Sequence, residues 1–164
     1  MTSRIGAGTT FRVFLPAIEG DGDADESAKA LPPPPPGGSE TILLVEDEAD
    51  VRTVTASYLR GKGYTVIEAA NGSQAMALWA RHADAIHLVY SDMVMPGGMT
   101  GLDLATRLRT AKPSLRIIIS SGYSPELAHV EALEARRLAF VAKPSPPAEI
   151  ARAVRRCLDG PPPA

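Results

Sequence analysis

The sequence predicts an α/β domain over residues 40–159, a doubly wound five-stranded parallel sheet with five helices. Three observations predict it. Five apolar, β-branched runs recur along this stretch, and a segment of helical periodicity separates each from the next. The runs are continuous rather than alternating, which suits strands covered on both faces. Parallel neighbours also need a crossover, and a helix is the usual one.

The five runs are TILLV (41–45), YTVIEA (64–69), AIHLVYS (85–91), LRIIIS (115–120) and LAFVA (138–142). The first helix is read from Val51, Val54, Tyr58 and Leu59 on one face, and the second from Ala75, Leu78 and Trp79. Leu102, Leu104, Ala105 and Leu108 mark the third. Pro125 opens a fourth, followed by Leu127, Val130 and Leu133. Pro146 and Pro147 open the last, which turns Ile150, Val154 and Leu158 inward. Right-handed crossovers place helices on both faces of the sheet. The flavodoxin-like class with this composition has strand order 2-1-3-4-5 and binds ligands at the carboxyl ends of its strands; the order is taken from that class.

Outside this stretch the composition changes. Residues 1–16, MTSRIGAGTTFRVFLP, predict a short strand from Thr10 to Leu15 after a Gly-rich turn. Residues 17–39 run through EGDGDADES into five prolines, Pro32 to Pro36. Such text cannot bury enough apolar surface to fold and predicts a disordered linker with a stiff polyproline stretch. Residues 160–164 predict a frayed tail.

Hydrophobic residues make up 45% of the 164-residue chain but aromatics only 5%, so the core must be aliphatic. Net charge is −2 with no basic stripe, which argues against nucleic-acid binding. The single cysteine, Cys157, excludes an internal disulfide and fits a reducing, cytoplasmic setting; its place among core positions predicts burial. No apolar run approaches the roughly 20 residues of a membrane span, and the first residues lack a signal-peptide core. No membrane contact is expected.

All strands of a parallel sheet end on the same edge. There the runs deliver Glu46-Asp47-Glu48, Ser91-Asp92, Ser120-Ser121-Gly122 and Lys143-Pro144, while Ala69-Ala70-Asn71 reads as a helix cap. Each has a bland reading alone: an acidic first helical turn, a turn aspartate before Pro-Gly, an ordinary turn, an exposed loop. Together they converge at one rim. Clustered carboxylates repel by several kcal/mol unless a cation relieves them. Mg²⁺ takes one or two carboxylates, waters and phosphate oxygens; a lysine and a hydroxyl opposite would suit phosphoryl transfer.

LLVEDEADVR, VYSDMVMPGGMTG, IIISSGYS and FVAKPSPPAEI resemble the response-regulator (CheY-like) receiver domain of two-component signalling, over about residues 40–159. The resemblance implies that Asp92 accepts a phosphoryl group from a phosphohistidine. It implies Mg²⁺ held by Asp47 and Asp92, by Glu46 mainly through water, and by the Val94 carbonyl. Lys143 would pair with the carboxylate and then the phosphoryl group. Ser121, which precedes Gly122, would be the switch hydroxyl and Phe140 the switch aromatic. Lys143-Pro144 would be cis. Such a domain phosphorylates and dephosphorylates itself. The partners implied are a histidine kinase or a histidine phosphotransfer protein, with room for a weak homodimer.

GAGTTFRVFLP resembles the last glycine box and final strand of a histidine-kinase ATP-binding domain. That implies the C-terminal part of a hybrid sensor kinase, with no ATP binding by this chain and with Phe11, Val13, Phe14 and Leu15 forming an adhesive strand edge. His82, His87 and His129 read as structural, and Met93, Met95 and Met99 as packing. Two other classes compete. A phosphorylation-independent docking module of the same fold would be expected to lack part of the Glu46, Asp47, Asp92, Ser121 and Lys143 set. A related phosphohydrolase would want a second aspartate where Val94 stands.

Overall fold

A computed structural model describes residues 2–6, 8–14, 35–122 and 138–161. The chain divides into two units, Met1–Pro33 and Pro34–Ala164.

In the first unit, β1 (Thr2–Arg4) and β2 (Gly8–Thr10) form an antiparallel hairpin. Gly6 and Gly8 take positive φ at its bend, where a side chain would be strained. The predicted strand over Thr10–Leu15 is corrected here, since β2 ends at Thr10. The register pairs Thr2 with Thr10, so residues 12–14 face no residue of the opposite arm. Phe11, Val13 and Phe14 are exposed, Phe14 by 88%.

In the second unit, β3 (Thr41–Val45), β4 (Thr65–Ala69), β5 (Ile86–Asp92), β6 (Arg116–Ser121) and β7 (Ala139–Ala142) make one sheet ordered β4-β3-β5-β6-β7, parallel throughout. That is the expected order 2-1-3-4-5. The described helices are α1 (Ala49–Gly61), α2 (Gly72–His82), α3 (Gly101–Ala111) and α4 (Pro147–Asp159). The helix expected from Pro125, with His129, lies outside the described residues.

Alternation along the strands sends side chains to two cores. Leu43, Val45, Val89, Ile117 and Ile119 pack with α2 and α3 through Trp79, Leu104 and Leu108. Ile42, Leu44, Leu88, Tyr90 and Ile118 pack with α1 and α4 through Ala56, Leu59, Ile150 and Val154. Both are dominated by aliphatic side chains. Asn71 caps α2, accepting from the Gln74 N–H at 2.9 Å. Thr100 and Asp103 close a reciprocal capping box on α3.

The face assigned to α1 is corrected in part. Thr55, Ala56 and Leu59 are its buried residues, whereas Val51 and Val54 are exposed, Val54 by 57%. Small side chains let the helix lie close to the sheet, and the larger valines are turned outward. His87 accepts a hydrogen bond at Nδ1 from the Thr41 N–H (3.1 Å), a structural role. Cys157 is half-buried against the α1/α4 core.

Candidate active site at the carboxyl edge of the sheet

The site is built from strand ends. Glu46 directly follows β3, and its N–H donates to the Ala69 carbonyl at the end of β4 (3.1 Å). Asp92 is the last residue of β5, and the next N–H, of Met93, donates to Ser120 of β6 (2.8 Å). Lys143 follows β7 and its N–H donates to the Ser121 carbonyl (2.8 Å). Each functional side chain thus leaves from backbone anchored to a neighbouring strand, where position is tightly held.

Carboxylate oxygens of Glu46, Asp47 and Asp92 lie within 4.8 Å of one another. Lys143 Nζ bridges two of them, 2.8 Å from Glu46 Oε2 and 2.7 Å from Asp92 Oδ2. Glu46 is 3% exposed and Asp92 13%, while Asp47 faces solvent. The three oxygens form an oxygen-rich concavity open on the Asp47 side, a donor set that fits a hard divalent cation.

Burial of the Lys143 ammonium disfavours its charge, but hydrogen bonds to Asp92 and Glu46 outweigh this and hold its pKa above the ordinary lysine value. Burial pushes the Glu46 carboxyl above its ordinary value, and the Asp92 charge adds to this; the Lys143 contact only partly offsets it. A carboxyl whose folded pKa is raised contributes stability that is complete below its unfolded pKa and is lost as pH rises through the folded one. In metal-free buffer Glu46→Gln should therefore remove one pH-dependent loss. The melting temperature of wild type minus that of the variant should fall as pH rises above the ordinary glutamate pKa; a flat or rising difference contradicts the burial effect.

The remaining predicted residues lie around this cluster. Ser121, mostly buried, is the last residue of β6, beside Ala142 of β7. Ser120 is fully buried, its hydroxyl 3.5 Å from the Ser91 carbonyl oxygen. Phe140 on β7 is half-buried against the α2/α3 core. Val94 stands two residues past Asp92 with an exposed side chain. The Lys143-Pro144 bond is cis, as expected. Gly97 and Gly98, with φ of 96° and 78°, turn the chain away from Asp92. Met95 is buried, and Met93 and Met99 pack on the α2/α3 core.

Gly101 was not legible as a site residue. Its N–H donates to the Met93 carbonyl (2.9 Å), and a Cβ there would stand 2.3 Å from the Asp92 carbonyl oxygen. No side chain fits without moving the backbone that carries Asp92. Gly101→Ala should destabilise the fold by about 1–3 kcal/mol, as overpacking does, and weaken cation binding beyond what the stability loss explains. Denaturant melts and a Mn²⁺ titration at one temperature check both; unchanged melts contradict the close contact.

The family model for the response regulator receiver domain matches residues 42–155. The chain belongs to this family. The receiver is 34% identical over 163 residues to the sensor kinase CckA of Brucella abortus (strain 2308), a match covering 96% of this chain but only 17% of that protein. It is 32% identical over 120 residues to sporulation initiation phosphotransferase F of Bacillus subtilis (strain 168), covering 73% of this chain and 94% of the relative. Among solved structures, the receiver domain of the hybrid histidine kinase CckA superposes with a TM-score of 0.61 at 34% identity, covering 73% of this chain and 99% of that one. The chain is a receiver domain homologous to those of phosphorelays, and phosphoryl transfer to an aspartate is the function of that family.

Proposed function

We propose that Asp92 is the phosphoacceptor and that Glu46, Asp47, Asp92 and the Val94 carbonyl hold Mg²⁺ beside it. The observation that carries this reading is the convergence of three carboxylates within 4.8 Å, with Lys143 bound to Asp92. The cation would supply charge neutralisation for an incoming phosphoryl group.

The receiver's own residues account for the rest. Lys143 and the anchored end of β5 hold the Asp92 carboxylate in one orientation. An Asp92 oxygen attacks phosphorus; the P–O bond forms as the P–N bond of a phosphohistidine breaks, and its electron pair returns to the imidazole nitrogen. Lys143 then follows the negative charge onto the phosphoryl oxygens. Ser121 donates its hydroxyl to the same group, and Phe140 rearranges on β7, a two-state element biased by local charge. Hydrolysis of the acyl phosphate resets the receiver.

A cavity of about 610 Å³ opens beside Lys143, lined among others by Glu46, Val51, Val54, Pro144 and Ile150. The exposed valines of α1 suit an apolar helix face on the phosphodonor, a histidine kinase or histidine phosphotransfer protein. Output passes through the face made by β7 and α4, with a weak homodimer as a further use of it. Residues 1–16 belong to the end of a kinase ATP-binding domain, which makes the chain part of a cytoplasmic hybrid kinase joined by the linker over 17–39. The match of 96% of this chain to CckA supports that arrangement. No helix among the described residues is long and apolar enough to cross a membrane.

The test is to incubate the chain with acetyl phosphate, with and without Mg²⁺, and weigh the intact protein. One phosphoryl group should be gained only with the cation and lost again on standing. No gain from several donors would overturn phosphoacceptance and leave a docking module, and sustained turnover of a phosphate ester would point to a hydrolase.

A further inference from the structure

Arg52 lies in the first turns of α1 and points back toward the strand end that precedes the helix. Its Nη1 donates to the main-chain oxygen of Glu46 at 2.6 Å and to that of Asp47 at 3.3 Å. Glu48, at the N-cap of α1, makes no side-chain capping bond. On the far side, Arg52 Nε stands 3.7 Å from Glu68 Oε2 on β4, and Arg60 Nη2 lies 2.9 Å from Glu68 Oε1. Arg60 also donates to the Val66 carbonyl (2.8 Å). A chain of contacts therefore runs from β4, through Glu68, to the two peptides that carry the acidic pair.

The Glu46 peptide is held from both ends, its N–H by Ala69 and its C=O by Arg52. Asp47, the most exposed of the three carboxylates, has its carbonyl on the same Nη1 of Arg52. A bare positive charge at this place would oppose a cation bound by the carboxylates. The Glu68 carboxylate screens that charge and leaves the directional hydrogen bonds of Nη1 in place. Resting on the metal-site reading above, we propose that Arg52 is a positioning residue for the metal-binding carboxylates: its guanidinium holds the main-chain oxygens of Glu46 and Asp47, and Glu68 supplies the countercharge that lets it sit there. Groups that orient metal ligands without touching the metal commonly change affinity by about 10- to 100-fold.

The experiment uses the full chain and Mn²⁺ as the probe, with binding read from the paramagnetic resonance signal of free Mn²⁺ and thermal melts run on every variant. Wild type should bind and Asp47→Ala should not. Arg52→Ala should bind about tenfold more weakly at a temperature where its melt shows it folded. Arg52→Lys keeps the charge but has one nitrogen in place of Nη1 and Nε, so it cannot hold the carbonyls and face Glu68 together, and it should bind more weakly than wild type. Glu68→Gln should weaken binding in the wild-type background and have no effect in Arg52→Ala, a coupling that general loss of stability does not produce. If Arg52→Ala does not fold, Arg52→Lys and Glu68→Gln carry the same comparison. Wild-type binding left unchanged by the Arg52 variants, full rescue by lysine, or an undiminished Glu68 effect in the double variant overturns the role of Arg52 alone. No Mn²⁺ binding by wild type overturns the metal-site reading and this role with it.

Discussion

Asp92→Asn should abolish the Mg²⁺-dependent gain of a phosphoryl group, with no measurable adduct where wild type is modified. The expected loss is complete because the amide has no anionic oxygen to attack phosphorus. The fold should survive. Asn is nearly the same shape, its Oδ1 still accepts from Lys143, and Lys143 keeps its 2.8 Å contact to Glu46. The anchoring bond from Met93 to Ser120 is main chain and is untouched. Intact mass after acetyl phosphate treatment, beside a melt of each protein, checks this. An adduct that persists in a folded Asp92→Asn chain would move the acceptor elsewhere, with Asp47, the exposed carboxylate of the cluster, the first to test.

Lys143→Ala should have the second largest effect, and of a different kind. In metal-free buffer it leaves Glu46, 3% exposed, and Asp92 facing each other with their shared cation gone. Removing one partner of a buried ion pair costs about 3–5 kcal/mol; partial exposure of the lysine reduces this to about 2–3 kcal/mol. A divalent cation at the carboxylates should restore much of that loss, so Mg²⁺ should raise the melting temperature of the variant more than that of wild type. Metal binding persists while the switch fails, because no ammonium follows the phosphoryl oxygens. Equal Mg²⁺ shifts in the two proteins, or normal switching by the variant, would contradict the role given to Lys143.

Much of this was open to reading in one dimension, because strands buried on both faces must be apolar along their whole length. ILLV (42–45), LVY (88–90) and III (117–119) are buried throughout, so the alternation of elements follows from them. The positions of Glu46, Asp92, Ser121 and Lys143 follow as well, since parallel strands deliver their ends to one edge. Val51 and Val54 were misread for an equally physical reason. Helical periodicity reports that residues share a face, but not which way that face points, and Ala56 and Thr55 carry no strong signal although they touch the sheet. The Thr10–Leu15 strand failed because propensity does not count the partners left on the other arm of a hairpin.

The sequence by itself determined the fold class, the strand order through its likeness to a known class, and the set of ionisable side chains at the carboxyl edge. Only the tertiary structure decided that Lys143 bridges Glu46 and Asp92, that Gly101 must lack a side chain beneath the Asp92 peptide, and that Arg52 and Glu68 brace the acidic pair from β4. The division has one cause. Periodicity and strand direction are local properties that a chain carries along its length, whereas a hydrogen bond between residues 46 and 143 exists only once the sheet has brought them within 3 Å.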